Sequence, residues 1–197
     1  MKYILASKSP RRREILTNIG VDFEIVVSDA DETSDVTDPA ELTKELSKRK
    51  GRAVAKLLEN QGRLDGETII ISADTVVACD GEILEKPRDR DDAYRMLRML
   101  SGRSHEVVSG ITLICGDREE SAYSVTKVCF KELSDKEIWK YIDSGEPFDK
   151  AGAYAVQGLA ALFVERIEGC YFGVVGLSVN LFNELHKKCT GKALSEI

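Results

Sequence analysis

The stretch Thr68-Ile69-Ile70-Ile71-Ser72-Ala73-Asp74-Thr75 joins a continuous apolar run to a carboxylate. An apolar run this short is typical of a central strand that is buried on both faces. Open α/β sheets bind their ligands beside the carboxyl ends of the strands. The stretch therefore predicts a strand over residues 68–72 and places Asp74 at its carboxyl end. An aspartate there could bind a divalent cation or take a proton from water, although a turn aspartate that caps its own backbone is the commoner case.

Strand and helix patterns surround this stretch on both sides. The elements expected before it are strands at residues 3–6 and 23–27, a helix capped by Ser9 that stops at Gly20, an acidic loop over residues 28–38, and a helix capped by Asp38 that runs to about residue 59. The elements expected after it are a hairpin over residues 76–84 with Asp80-Gly81 at its turn, helices at residues 91–100, 135–144 (capped by Ser134) and 178–188, and strands at residues 106–114, 121–130, 161–167 and 171–175. This order predicts an α/β fold around a mixed twisted sheet with flanking helices.

The length of the chain limits the number of domains, and its net charge limits the kind of binding partner. A length of 197 residues allows one large domain or two small lobes that share a core. The formal net charge is −6, from 28 Lys plus Arg against 34 Asp plus Glu. This balance argues against a nucleic-acid partner, because a general nucleic-acid binder needs a basic surface. A local basic pocket for one small anion is compatible with it.

The sequence has the features of a cytoplasmic protein without a membrane partner. Its N-terminus turns polar at Ser7, too early for the apolar core of a signal peptide, and no run approaches the roughly 20 apolar residues that span a bilayer. Five cysteines, an odd number with no C-x-x-C pair, suit packed thiols in a reducing compartment.

Histidine is rare, since the chain has only His105 and His186. A Ser-His-Asp hydrolase or a histidine-rich metal site would have to be built from these two residues. We therefore expect carboxylates, lysines and arginines to carry the chemistry.

The segment Ser7-Lys8-Ser9-Pro10-Arg11-Arg12-Arg13 joins the first predicted strand to the first predicted helix. The free N–H groups and the dipole at a helix N-terminus favour an anion, and hydroxyls and cations at the same place suit a polyphosphate. The segment is not a Walker loop, because the glycines and the G-K-[ST] ending are missing. A solvated basic first turn is the alternative.

Three further segments supply candidates for a site. The acidic run Asp29-Ala30-Asp31-Glu32 offers the hard oxygen ligands that suit Mg²⁺, or is a solvated loop. Lys50 and Lys86, the latter followed by Pro87, point into a cleft or lie on the surface. Gln157, in a Gly/Ala-rich run, could read a base edge with its amide, or could face solvent. Together these cations and carboxylates describe a site for phosphate and metal.

In combination, the segments resemble the Maf family of nucleotide pyrophosphatases. The matching motifs are ILASKSPRRREIL (residues 4–16), DADE (29–32), KGRAVA (50–55), SADTVV (72–77), EKP (85–87), MLRMLSGRSHEVVSG (96–110) and EPFDKAGAYAVQG (146–158). The likeness runs in order from residue 3 to about residue 185, so a single Maf-like domain is expected over residues 1–197. Ala155 and the triplet Gly176-Leu177-Ser178 depart from the usual pattern.

The resemblance implies a fold and a set of site residues. The fold is a mixed α/β structure with two lobes around a nucleotide cleft, similar to the pyrophosphatases that clear non-standard purine triphosphates. Asp74 is the implied proton acceptor, and Glu32 with Asp74 would bind a divalent cation, Mg²⁺ or Mn²⁺. The polar groups implied around the triphosphate are Ser7, Arg12, Lys50 and Lys86.

The resemblance also separates two branches by substrate. The branch active on dTTP and UTP has Arg after Ser-Pro, Thr after the catalytic Asp, and Gln before the late Gly. Here these positions hold Arg11, Thr75 and Gln157, whereas the branch active on 7-methyl-GTP carries Trp, Gln and Glu. The expected reaction is hydrolysis of dTTP, UTP and modified pyrimidine triphosphates to the monophosphate and pyrophosphate. The alternative is a nucleotide-sensing regulator of septum formation, and a homodimer is the family-level expectation.

Overall fold

The computed structural model describes residues 1–196, which contain one mixed seven-stranded sheet. The strand order is β2-β1-β3-β5-β6-β7, and β4 pairs with β3 off this path. The strands are β1 (Lys2–Leu5), β2 (Phe23–Ile25), β3 (Thr68–Cys79), β4 (Glu82–Leu84), β5 (Ser104–Cys115), β6 (Arg118–Phe130) and β7 (Val164–Glu168). The predicted α/β class with a mixed sheet is confirmed.

Helices connect most of these strands, and their starts are set by short polar side chains. The α-helices are α1 (Pro10–Asn18), α2 (Pro39–Asn60), α3 (Arg90–Leu100), α4 (Asp135–Asp143), α5 (Tyr171–Val175) and α6 (Val179–Thr190). The carboxylate of Asp38 accepts the backbone N–H of Glu41 at 2.8 Å, and Ser134 forms a capping box with Glu137. These two predicted N-caps and that of Ser9 are confirmed.

Strand β3 extends further than predicted. Its parallel pairing with β1 ends at the Leu5–Ile71 pair, but the strand itself continues. The prediction that it ends at residue 72, with Asp74 beyond its carboxyl end, is therefore wrong. The polar Ser72 and Asp74 only interrupt the apolar run, which resumes at Val76.

The turn at Asp80-Gly81 closes the predicted hairpin. Both residues have positive φ angles, 50° and 80°, as the tight two-residue turns of hairpins require. Antiparallel pairing then runs from the Cys79–Glu82 pair to the Val77–Leu84 pair.

The predicted strand over residues 171–175 is wrong, because Tyr171–Val175 is helix α5. The backbone N–H groups of Gly173 and Val174 both donate to the carbonyl of Cys170, at 3.0 and 3.3 Å. A short apolar run has the same composition in either element, so hydrophobicity alone could not separate them. The strand predicted at residues 161–167 is confirmed only from Val164, since Leu159–Phe163 forms a 3-10 helix.

The chain divides into two compact units. The first unit comprises Met1–Asp74, Ser109–Ser124 and the chain from Gly176 onward, and the second comprises Thr75–Val108 and Val125–Val175. The single domain expected over residues 1–197 stays a prediction. Within residues 1–196, no helix combines the length and the apolarity needed to cross a bilayer.

In the first unit, helix α2 packs a face of small residues against the sheet. Thr43, Ser47 and Gly51 follow one another at intervals of four residues, so they share one helix face, and all three are buried. A Cβ atom at Gly110 in β5 would lie 2.5 Å from the carbonyl carbon and oxygen of Thr43. The helix backbone therefore contacts the strand backbone directly.

In the second unit, His105 is buried in an aromatic cluster. Its ring packs edge-on against Phe130 and Tyr154, with ring centroids 5.0 and 5.4 Å away, and its Nε2 pairs with the Tyr154 hydroxyl at 2.8 Å. Burial lowers the pKa of His105 to about 4 from 6.5. Its Nδ1 has no hydrogen-bond partner among residues 1–196, so a proton there would be uncompensated.

We predict that His105 makes the folded state less stable as the pH falls from 6.5 to 4. In this window the unfolded chain binds a proton at His105 and the folded chain does not, so lowering the pH favours unfolding. A gap of this size corresponds to about 3 kcal/mol of unfolding free energy. Urea titrations measure the unfolding free energy of the wild type and of His105→Gln at each pH. The wild-type value minus the variant value should fall as the pH drops from 6.5 to 4 and stay level below pH 4. A constant difference across this range would contradict the prediction.

Candidate active site

The loop between β1 and α1 brings a buried hydroxyl to the end of the parallel pairing. The backbone N–H of Ala6 donates to the carbonyl of Ile71 at 2.8 Å, which holds the start of the loop against β3. Ser7 is buried, and its Oγ accepts the N–H of Ser9 at 3.2 Å and Nη1 of Arg12 at 3.1 Å. The hydroxyl oxygen is thus used as an acceptor, and its hydrogen can be donated to an anion.

Arg12 is held in a fixed orientation in the first turn of α1. Its Nε donates to the carbonyl of Gly176 at 2.9 Å while Nη1 donates to Ser7. Burial lowers the pKa of Arg12, and the negative charges of Asp74 and Glu32 oppose that shift. Since a guanidinium stays protonated in proteins, this places a permanent positive charge near two carboxylates.

The centre of the site is an ion triad, which we define as Glu32, Lys50 and Asp74. Nζ of Lys50 lies 2.7 Å from Oδ1 of Asp74 and 2.8 Å from Oε2 of Glu32. The side chains of Asp74 and Lys50 are only 11% and 18% exposed, whereas that of Glu32 is 63% exposed. Asp74 lies three residues past the last β1 pair of β3, so the site flanks the carboxyl end of the parallel pairing even though the strand continues.

In the acidic loop, Glu32 contacts Lys50, while its neighbours Asp31 and Thr33 make other hydrogen bonds. Oδ1 of Asp31 accepts both the N–H and the hydroxyl of Thr33, at 2.9 and 2.7 Å, and these bonds lower the pKa of Asp31. Arg49 donates to the carbonyl of Thr33 at 2.5 Å, which ties the loop to α2. Of the four residues in the run, Glu32 is the one that reaches Lys50.

Two members of the ion triad, Glu32 and Asp74, have carboxylate oxygens of the kind that could bind a divalent cation. The carboxylates of Glu32 and Asp74 both contact the ammonium of Lys50, so their oxygen atoms lie close enough to share one cation. Residues 1–196 contain no cluster of three or more His, Cys, Asp or Glu side chains that could enclose an ion by themselves. Mg²⁺ usually takes one or two carboxylates and completes its shell with substrate phosphates and water, so these two carboxylates fit such an ion.

The other predicted site residues are placed as follows. Arg11 lies in the first turn of α1 and is half-buried. Thr75 follows Asp74 directly in β3, at the start of the second unit. Lys86 and Gln157 are exposed residues of the second unit. The structure therefore brings together Ser7, Arg12 and the ion triad within the first unit.

The segment that carries Gln157 is clamped by Glu146. Its Oε2 accepts the N–H of Leu159 at 3.0 Å, and its Oε1 accepts the hydroxyl of Tyr141 at 2.9 Å. A Cβ atom at Gly158 would lie 2.2 Å from Oε1 of Glu146, so only glycine allows this approach. The backbone two residues after Gln157 is thus held by Glu146, a carboxylate that was not among the predicted site residues.

Two residues that hold predicted site residues in place were missed from the sequence, Gly51 in the first unit and Glu146 in the second. For Gly51 a signal existed, because Thr43, Ser47 and Gly51 form a small-residue face at helical spacing. For Glu146 the sequence offers no signal beyond its place in a matching motif, since its partners lie on both sides of it along the chain.

The family model for "Maf-like protein" matches residues 2–189. The chain belongs to the Maf-like protein family. Curated relatives support this over nearly the whole chain. A "dTTP/UTP pyrophosphatase" of Carboxydothermus hydrogenoformans is 52% identical over 190 residues, which cover 95% of this chain and 98% of the relative. A "dTTP/UTP pyrophosphatase" of Acetivibrio thermocellus is 48% identical over 200 residues and the full length of both proteins.

Among solved structures, this Maf-like protein is similar to the Ham1 protein of Staphylococcus aureus. The TM-score is 0.47 at 15% sequence identity, and the match covers 66% of this chain and 72% of the other.

In this Maf-like protein, we predict that Glu146→Ala loosens the Gln157 segment. The N–H of Leu159 and the hydroxyl of Tyr141 would both lose their acceptor, at a cost of about 1–3 kcal/mol of unfolding free energy. Hydrogen exchange at residues 157–160 should accelerate. Glu132→Ala, at an exposed glutamate of the same unit, is the matched control and should leave this exchange unchanged. Equal exchange in the wild type and in Glu146→Ala would show that the clamp does not hold the segment.

Proposed function

We propose that this Maf-like protein hydrolyses dTTP and UTP to the nucleoside monophosphate and pyrophosphate. The observation that carries the proposal is the ion triad, a buried aspartate and a carboxylate that meet at one cation beside the basic N-terminus of α1. The relatives named dTTP/UTP pyrophosphatase match this chain over nearly its whole length, which supports the same reaction.

In this proposal Asp74 is the general base. Its carboxylate takes a proton from a water molecule as the water oxygen attacks the α-phosphorus, and the bond between that phosphorus and the bridging oxygen to the β-phosphate breaks. Pyrophosphate leaves with the bonding electron pair. The rigid position of Asp74 within β3, where its side chain is mostly buried, favours this role because a base must be aimed at one water molecule.

Cations and hydroxyls bind the triphosphate. Arg12, oriented by Gly176 and Ser7, and Lys50 can stabilise the charge that develops on the transferring phosphoryl group and on the leaving pyrophosphate. Arg12 lies at a helix N-terminus whose first turn has no acidic residue, which favours an anion further. The family resemblance is our ground for assigning Lys86 to the same task.

Glu32 and Asp74 would hold the divalent cation, Mg²⁺ or Mn²⁺. Such an ion supplies Lewis-acid polarisation of phosphate oxygens when it is bound. Lys50 donates to both carboxylates here, and the same ammonium can donate to a phosphate oxygen once a metal ion neutralises them.

We assign base recognition to Gln157, with Arg11 and Thr75 as the other positions that distinguish the pyrimidine branch. The amide of Gln157 offers a donor and an acceptor, which can pair with the edge of a pyrimidine base. Glu146 holds the backbone two residues after Gln157. Modified pyrimidine triphosphates with an unchanged pairing edge would enter by the same contacts.

We also place the protein in the cytoplasm, with a small nucleotide as its partner and without a nucleic-acid or membrane partner. All five cysteines are free thiols, which suits a reducing compartment, and the net charge of −6 disfavours nucleic acid. The homodimer that the family resemblance implies stays a prediction.

The first test is Asp74→Asn. Loss of the base should lower kcat for dTTP by about 10²–10⁴-fold while the fold persists, because Lys50 keeps its contact with Glu32. Pyrophosphate release is measured with Mg²⁺ or Mn²⁺ and again with EDTA, which should abolish turnover. Asp117→Asn, at an exposed turn aspartate, is the matched control. Near-wild-type turnover by Asp74→Asn would remove it as the base, and a wild type that releases no pyrophosphate would favour the nucleotide-sensing regulator.

The second test concerns base selectivity. Gln157→Glu replaces an amide donor by a carboxylate, so kcat/KM for dTTP and UTP should fall by about 10-fold, since an acceptor of the bound base would lose its donor at a cost of about 1–3 kcal/mol. Turnover of dTTP, UTP and 7-methyl-GTP is compared between the wild type and the variant. An unchanged ranking of the three nucleotides would exclude Gln157 from base recognition.

A further inference from the structure

We propose that Gly51 is a positioning residue for catalysis, because the absence of a side chain there sets the distance between α2 and β3 that lets Lys50 reach Asp74. This inference rests on the proposed function and adds to it a residue that touches neither substrate nor metal.

The contact at Gly51 is tighter than a side chain allows. A Cβ atom at Gly51 would lie 2.7 Å from Oγ of Ser72 and 3.3 Å from Cδ1 of Ile114. Oγ of Ser72 cannot rotate away without loss, because it donates to the carbonyl of Ser47 at 2.7 Å and lies 3.3 Å from the carbonyl of Thr112. Any side chain at Gly51 must therefore move the helix or break this buried polar contact.

This contact lies directly beside the catalytic one. Side chains two residues apart in a strand point to the same face, so Ser72 and Asp74 both face α2. Gly51 meets Ser72, and the adjacent Lys50 meets Asp74 at 2.7 Å. A wider gap at the Gly51–Ser72 contact thus moves the start of the Lys50 side chain away from Asp74.

The rest of the helix face cannot compensate for such a shift. Two turns earlier, Thr43 contacts Gly110 of β5 backbone to backbone, and Ser47 between them pairs through its hydroxyl with Thr112 at 2.8 Å. Helix α2 is therefore fixed against the sheet along this face. Displacement at Gly51 therefore tilts the part of the helix from Lys50 onward.

The experiment is a set of coupled variants assayed for pyrophosphate release from dTTP with Mg²⁺. Gly51→Ala should lower kcat by about 10- to 100-fold, the range for a displacement of about 1 Å, with a smaller change in KM. Ser72→Ala alone removes the obstructing oxygen and should stay within about twofold of the wild type. The double variant Gly51→Ala with Ser72→Ala should recover most of the lost kcat.

A second background separates positioning from a general loss of structure. In a Lys50→Met protein, which has already lost the ammonium, Gly51→Ala should lower kcat no further. Ser72→Cys puts a larger atom against Gly51 from the side of the strand, so it should lower kcat by less than Gly51→Ala does. In the Lys50→Met background, Ser72→Cys should not lower kcat further. This variant keeps the test decisive if Gly51→Ala does not fold.

Three outcomes would overturn the inference while the proposed function stands. They are a Gly51→Ala protein as active as the wild type, a double variant that recovers nothing, and an equal loss in the wild-type and Lys50→Met backgrounds. A wild type that releases no pyrophosphate from dTTP or UTP would instead refute the proposed function.

Discussion

The geometry of the candidate site depends on one interaction, the pairing of the mostly buried carboxylate of Asp74 with the ammonium of Lys50. A charge in the middle of a buried strand costs several kcal/mol unless it is paired and hydrogen-bonded. Lys50 supplies the pair at 2.7 Å, and Glu32 satisfies a second donor of the same ammonium at 2.8 Å. A long helix and an acidic loop are thus anchored at one point of the sheet.

Two polar side chains near the start of the chain are held beside this pair. Ser7 and Arg12 fix each other, and Arg12 gains the carbonyl of Gly176 from the distant start of the C-terminal segment. Cations at a helix N-terminus oppose the helix dipole. The two carboxylates of the ion triad offset part of that repulsion, and a polyphosphate would offset more of it. The positive charge at the N-terminus of α1 is therefore only partly offset by the two carboxylates, and this favours an anionic ligand.

The second unit follows a different principle, in which rigidity comes from buried hydrogen bonds to aromatic hydroxyls. Glu146 binds Tyr141 and the backbone of Leu159, and His105 binds Tyr154, whose pKa is raised by burial. These contacts hold the chain on either side of Gln157, at Tyr154 and at Leu159. An amide can discriminate between bases only if its position is restricted, because a freely rotating amide exchanges its donor and acceptor at little cost.

The sequence by itself determined the α/β class, the N-caps at Ser9, Asp38 and Ser134, and the turn at Asp80-Gly81, because these depend on residues close together in the chain. It also indicated the polar residues of the site through their motifs. Only the tertiary structure decided that β3 continues past Asp74, that Tyr171–Val175 is helical, and that one ammonium, of Lys50, contacts both Glu32 and Asp74. Each of these depends on which distant strand, carbonyl or cation lies nearby, and one short stretch of sequence fits more than one such environment.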